Sequence, residues 1–311
     1  MKKLLLLAFN FLIVFAVSAG GEGWETKFNL AQEKAVAENK SLLVDFTGSD
    51  WCGWCIRLKK EVFDHKEFSD FAKEKFVLVE IDYPKSKEQS AEIKAQNEEL
   101  KNKYKIQGYP TILLMDAQGR PFAKTGYQAG GPSAYNMHLT TLLKQGDTIA
   151  KAFADAKKES GVNQAKKLNA ALSLIPDELK AHYKAEIEMM FAADPKDSLG
   201  FKKSMELNSS LKVLQGKVAQ IARKGDVAQA EKLVEDFIVS KKLSGENKQK
   251  ALMAKLNCYD PRQEGVLAIA DKLMDQVIAI DAKSQTATLA KSVKGQIAQM
   301  KAQSKKGKAQ Q

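Results

Sequence analysis

Trp51-Cys52-Gly53-Trp54-Cys55 lies between two apolar segments of different period, and that junction decides the fold. Upstream, Leu42-Leu43-Val44-Asp45-Phe46 is an apolar run of strand length. Downstream, apolar residues fall at 55, 56, 58, 62 and 63, which is helical spacing. The order predicts strand, tight turn, helix, with Cys52 at the helix N-terminus and Cys55 one turn in. The first turn of a helix carries unpaired N–H groups and the positive end of the dipole. Both favour a thiolate, so Cys52 is expected to titrate below the ordinary thiol range. A thiolate attacks disulfides, and a cysteine three residues on can resolve the mixed disulfide.

Two other uses of the pair compete with redox chemistry. Half of a structural zinc site needs four ligands in all. Beyond the pair there is only Cys258, and His65, His138 and His182 show no paired spacing, so no metal is expected. A purely structural bond across so short a loop gains little chain entropy. Redox use is the expected role of the pair, with these two as the alternatives.

Val44-Asp45-Phe46, Trp51-Cys52-Gly53-x-Cys55 and the distant Gly108-Tyr109-Pro110-Thr111 together resemble the thioredoxin-fold proteins, over roughly residues 24–146. The resemblance implies an α/β thioredoxin fold, a central mixed sheet flanked by helices. It implies Cys52 as nucleophile, Cys55 as resolver, and a buried Asp45 that exchanges the proton of Cys55. It implies a cis Pro110 and the Tyr109 backbone as the platform for a substrate strand. Trp51, Trp54 and Gly126 are expected to line the same site, and the Cys52–Cys55 disulfide is the only redox group required, with no cofactor. The family often places a lysine near the buried aspartate on the next strand; the matching position here is Leu78. The inner pair Gly53-Trp54 departs from the thioredoxin Gly-Pro and the isomerase Gly-His. Thr47-Gly48-Ser49-Asp50 resembles exported bacterial thioredoxin-like proteins.

The first residues point to export. Lys2-Lys3, an apolar stretch from Leu4 to Val17 and the small residues Val17-Ser18-Ala19 read as a cleaved Sec-type signal peptide over 1–19. The expected location is periplasmic or secreted, where disulfides form. The formal charge is +11, with lysine far outnumbering arginine and spread along the chain. That reads as a solvated basic surface, and no nucleic-acid recognition motif accompanies it.

Taken in order, Trp24–Asn39 reads as an amphipathic helix, 42–46 as strand and 52–63 as helix. A short helix at 67–75, a strand at 76–82, a polar helical stretch over 86–104 and strands at 111–115 and 121–125 follow. Asp116-Ala117-Gln118-Gly119 is the hairpin turn, and 132–144 a closing helix. This makes 20–146 the thioredoxin-like domain. From Asp147 strand signals vanish. Helical windows at 148–158, 162–174, 177–192, 198–223, 226–241, 246–258 and 263–300 predict an all-α region over 147–300. A weak echo between the segments starting at Gly161 and Gly225 suggests solenoid-like helix pairs. Residues 301–311 read as a basic disordered tail. Cys258 falls on an apolar helical face and is expected as a buried free thiol.

The expected function is an exported thiol–disulfide oxidoreductase that reduces or isomerises disulfides in client proteins. A membrane electron donor or other redox partner would serve it, and the helical region would hold a protein partner. The competing class is a redox-sensitive binding or assembly protein whose helical region is the working part.

Overall fold

In the computed structural model, which describes residues 23–260, 263 and 265–308, the apolar run becomes β2 (Ser41–Thr47), the middle strand of five. The strand order is β1-β3-β2-β4-β5, with β1 at Trp24–Glu25, β3 at Phe76–Asp82, β4 at Thr111–Met115 and β5 at Pro121–Thr125. β2 runs parallel to β3 and antiparallel to β4, and β5 returns antiparallel beside β4. A central strand covered on both faces reads as a continuous apolar run. From Leu42 to Thr47 every residue of β2 is buried, including Asp45.

Helices close both faces. They are α1 (Phe28–Glu38), α2 (Gly53–Leu58), α3 (Lys66–Lys75), α4 (Ala91–Lys103) and α5 (Gly131–Ala156). Phe46, Phe68, Ile81, Ile112, Leu114 and Tyr135 are fully enclosed. Burial of a large apolar side chain contributes about 1.5–3 kcal/mol each, and these residues hold the sheet and helices together. The mixed-sheet thioredoxin fold expected from the sequence is the fold found.

Trp24 does not begin a helix. It pairs with Leu78 as β1, and its ring packs on Phe63 and Phe68 at 5.1 and 6.5 Å, so α1 starts only at Phe28. The boundary expected at 146/147 falls inside α5, which runs unbroken past Gly146. A Cβ at Gly146 would stand 2.7 Å from the Phe122 ring. This glycine lets α5 approach β5 closely and does not end the helix. The first unit then continues through α6 (Gly161–Ser173) and α7 (Lys184–Ala193) to Leu199. Arg120, after the β4–β5 turn, joins α7 through Glu186 at 2.5 Å, and Phe153 stacks on Tyr183 at 5.6 Å. The window at 177–192 holds a short 3-10 turn at Lys180–His182 before α7.

The second unit begins at Gly200 and is all helical, with α8 (Phe201–Arg223), α9 (Val227–Ser240), α10 (Gly245–Met253), α11 (Val266–Ile280) and α12 (Gln285–Lys308). One apolar cluster gathers Leu211, Leu214, Val218, Ala230, Val234 and Cys258. A second gathers Leu252, Leu273, Met274, Val277, Ala290 and Ile297. The window at 263–300 is two helices. Asp281 accepts from the Lys283 N–H at 3.0 Å, and the Ser284 hydroxyl accepts from the Ala287 N–H at 2.9 Å, so the turn is capped from within. α12 continues through Lys301 to Lys308, where the sequence suggests an unstructured tail. Lys301 bonds Asp271 at 2.8 Å, an anchor that composition cannot reveal. Residues 1–19, read as a signal peptide, lie outside the described residues. No helix among the described residues is long and apolar enough to cross a membrane.

Candidate active site

β2 ends at Thr47, and the turn Gly48–Trp51 delivers Cys52 to the start of α2. Gly48 is required here because a Cβ would stand 2.6 Å from the Trp51 indole. Cys52 is the N-cap of α2, and its sulfur accepts from the Cys55 N–H at 3.2 Å. Cys52 and Cys55 are joined by a disulfide. Both are largely covered, at 7% and 4% exposure, whereas Trp51 and Trp54 are 40% and 54% exposed beside them. The helix then widens into a π turn at Lys59–Phe63, an irregularity common at functional sites.

The turn is stapled to the segment after β3. Asp82 accepts from the Ser49 N–H at 2.8 Å and from its hydroxyl at 2.6 Å. Asp50 accepts from the backbone N–H groups of Lys85 and Ser86, at 3.0 and 2.6 Å, and from the Ser86 hydroxyl. These donors, the Ser86 hydroxyl foremost, hold the Asp50 carboxyl down at about 2. The Trp51 indole N–H donates to the Tyr83 carbonyl at 2.7 Å. On this side Trp51 meets the Tyr109 ring edge-on at 5.8 Å, Tyr109 meets Tyr83 at 5.2 Å, and the Lys85 ammonium lies over Trp51 at 4.4 Å. Tyr109-Pro110 is a cis bond, as the resemblance implies. Gly126 comes close to it, since a Cβ there would stand 3.2 Å from the Pro110 carbonyl oxygen.

On the other side Trp54 packs on Tyr127 at 5.1 Å, and the Arg57 guanidinium covers both rings at 5.5 and 5.3 Å. Glu61 fixes this group by accepting from Arg57 at 2.7 Å and from the Tyr127 hydroxyl at 2.6 Å. The dithiol thus opens between two aromatic walls, each with a cation on it. The sequence singled out Trp51, Trp54, Tyr109, Pro110 and Gly126. It did not reveal Tyr83, Lys85, Arg57, Glu61 or Tyr127. Glu61 lies four residues after Arg57, and that helical i, i+4 spacing is the signal that could have found the pair. Tyr127 was not, because only the return of the chain after β5 brings it there.

Beneath the disulfide lies a cavity of about 20 Å³, bordered by Asp45, Cys55, Lys59 and Glu80 among others. That is room for about one water. Asp45 is 6% exposed, and its Oδ1 has no hydrogen-bond partner among the described residues. Burial pushes its carboxyl well above the usual carboxylate range, Glu80 and Asp82 add to the rise, and Lys59 opposes it. Leu78, the position matched to the family lysine, stands opposite Leu43, whereas Glu80 stands opposite Asp45. Among the described residues no cluster of His, Cys, Asp and Glu could hold a metal ion.

The His138 Nε2 lies 2.9 Å from the Thr125 hydroxyl, and the His65 Nε2 lies 3.1 Å from the Lys60 carbonyl oxygen. Cys258 is buried as a free thiol in the second unit, and burial pushes it up to about 11.

Comparison with known proteins gives a consistent result. The model of a thioredoxin-like domain matches residues 28–134. A protein of Chlamydia pneumoniae named disulfide bond reductase DsbH is 35% identical over 128 residues, covering 41% of this chain and 76% of that protein. A thioredoxin-related protein of the same organism, DsbJ, is 33% identical over 132 residues, covering 42% of this chain and 38% of its own length. A solved structure described as DsbH oxidoreductase is 33% identical, covers 44% of this chain and 95% of its own, and gives a TM-score of 0.38. A Cys52–Cys55 pair at a helix start fits the protein-disulfide oxidoreductases among these relatives.

Proposed function

The chain belongs to the thioredoxin-like family, and on that premise we propose that it is an exported thiol–disulfide oxidoreductase that reduces disulfides in client proteins. The observation that carries this is the Cys52–Cys55 disulfide at the start of α2, with Cys55 lining the same small cavity as the buried Asp45 carboxyl, whose Oδ1 has no partner among the described residues. Reduction of a client follows from that arrangement. The Cys52 thiolate, favoured by the N-terminus of α2, attacks one client sulfur and expels the other as a thiolate. Asp45 takes the proton of Cys55, and the Cys55 thiolate attacks the Cys52 sulfur. The Cys52–Cys55 bond forms, the bond to the client breaks, and the second client thiolate leaves. Two electrons pass to the client, and a redox partner outside this chain restores the dithiol.

The two aromatic walls suit an extended client segment lying across the disulfide, with Tyr109 and Pro110 on one side and Trp54 on the other. The direction is read from the relative named a disulfide bond reductase. Export rests on the leader-like residues 1–19 and on the disulfide chemistry itself.

The test is the reduction potential of the Cys52/Cys55 couple in the full chain. A reversible couple near about −270 mV is expected for a reductase. A value of about −180 to −120 mV would replace that direction with isomerisation or oxidation. Failure to find any reversible couple would overturn the reading and move attention to the helical second unit.

A further inference from the structure

The cavity under the disulfide holds more acid than one proton acceptor requires. Asp45 and Glu80 are direct partners in the parallel pairing of β2 and β3, so their side chains leave the same face of the sheet. Both border the small cavity that also touches Cys55. Asp45 is enclosed with an orphaned oxygen, and Glu80 is only partly covered, so Glu80 is the carboxyl nearer solvent. Lys59 borders the same cavity from the π turn, half exposed, with its ammonium 2.6 Å from Asp64.

We propose that Glu80 is the outer carboxyl of a two-carboxyl proton relay, carrying the Cys55 proton between the Asp45 cavity and solvent, with Lys59 as the cation that balances the pair. This rests on the oxidoreductase reading above. During client reduction the Cys55 S–H proton passes to the Asp45 carboxylate, then through the cavity to the Glu80 carboxylate, then to water. Cys55 is left as the thiolate that closes the disulfide. When the disulfide is reduced again, the same path runs inward and protonates Cys55. A buried acid with no route to solvent would trap the proton after one turnover; Glu80 supplies that route.

The surroundings agree. Burial raises Glu80 above the usual carboxylate range, Asp82 adds to it, and Lys59 and Lys87 oppose it. The groups that face the pair are Asp82 on its own strand, Lys59 with its partner Asp64 beyond α2, Lys87 after β3, and Tyr135 of α5, whose phenol feels the Asp45 charge. Two carboxyls this close titrate as a coupled pair. Glu80 acts through Asp45, so it is a positioning and relay residue.

The experiment follows the reduced full chain reacting with a chromogenic aromatic disulfide by stopped flow between about pH 5 and pH 9. The first thiolate released reports attack by Cys52, and the second reports closure by Cys55. Glu80→Gln should move the midpoint of the second step's pH profile down by at least about half a unit and narrow it to one group. Lys59→Met should move it up, because the opposing cation is gone. The first step should stay within about twofold in both, as the relay serves Cys55. A Glu80→Gln profile that superimposes on the wild type, or equal shifts in both steps, overturns the relay. If Glu80→Gln fails to fold by circular dichroism, Lys59→Met decides alone, and an unmoved profile there overturns it. Absence of a second release in the wild-type protein would instead overturn the oxidoreductase reading.

Discussion

Gln249 in the second unit and Asp45 in the first are both buried polar side chains, and the protein treats them oppositely. Gln249 donates through Nε2 to the carbonyls of Val277 and Asp281 at 2.7 and 2.9 Å, and its Oε1 accepts from the Ser284 hydroxyl at 2.7 Å. It closes the end of α11 and helps set the α11–α12 turn. Asp45 has an oxygen with no partner among the described residues, and two further acids act on it. Leaving a buried polar group unmade costs free energy, so folds satisfy those that serve structure. Asp45 lacks that closure, which is why the role proposed for it above is chemical and not structural. Glu186 falls between the two: one oxygen bonds Arg120 at 2.5 Å and the other has no partner among the described residues.

The cysteines give the largest expected contrast. Cys52→Ser should abolish reduction of a protein disulfide, while Cys258→Ala should leave turnover within about twofold, because a thiol raised by burial is not a nucleophile at neutral pH. Activity lost in Cys258→Ala and kept in Cys52→Ser would place the working chemistry in the second unit. Next comes the half-satisfied case. Arg120→Met strands the Glu186 carboxylate in the interior and should cost about 3–5 kcal/mol in denaturant unfolding. A loss below about 1 kcal/mol would show that α7 is not held to the β4–β5 hairpin by this pair. Gln249→Ala is expected to cost about 1–3 kcal/mol, since it orphans the carbonyls of Val277 and Asp281.

Asp45→Asn should move stability the other way. A carboxyl raised in the folded state binds its proton there while the unfolded chain, near about pH 4, has already lost it. Stability therefore falls as pH rises from the unfolded value to the raised folded one, by about 1.4 kcal/mol per pH unit across that window. Above it the penalty is complete. Asp45→Asn removes this slope, so the variant should be more stable than the wild type at pH 8 and should resolve mixed disulfides more slowly. Thermal melts across pH check the first half, and an unchanged slope would mean that Asp45 titrates normally. If Gln249→Ala and Asp45→Asn shift stability in the same direction, the contrast between the two interiors fails.

The chain order around the dithiol was legible because it is local. The apolar period changes from a continuous run at 42–46 to helical spacing after Cys52, and those two patterns suffice to put the cysteines at the start of a helix. The hairpin at 116–119 and the helical character beyond 147 were legible for the same reason. The boundary at 146/147 was drawn where strand signals vanish, and a change of composition does not show that one helix, α5, runs unbroken from Gly131 to Ala156. Trp24 was misleading because two residues are too few to show a strand's period.

What the residue order determined by itself is the reactive pair, the strand beneath it and the thioredoxin-like fold that presents it. What only the tertiary structure decided is the company that pair keeps. Periodicity says which face a side chain takes, but not which residue of a neighbouring strand will stand opposite. Glu80 meets Asp45 because β2 and β3 settle in one register, and a shift of one residue would have turned Glu80 to the other face. Tyr127 meets Trp54, and Glu186 meets Arg120, only where distant segments are brought together by the burial of the core between them.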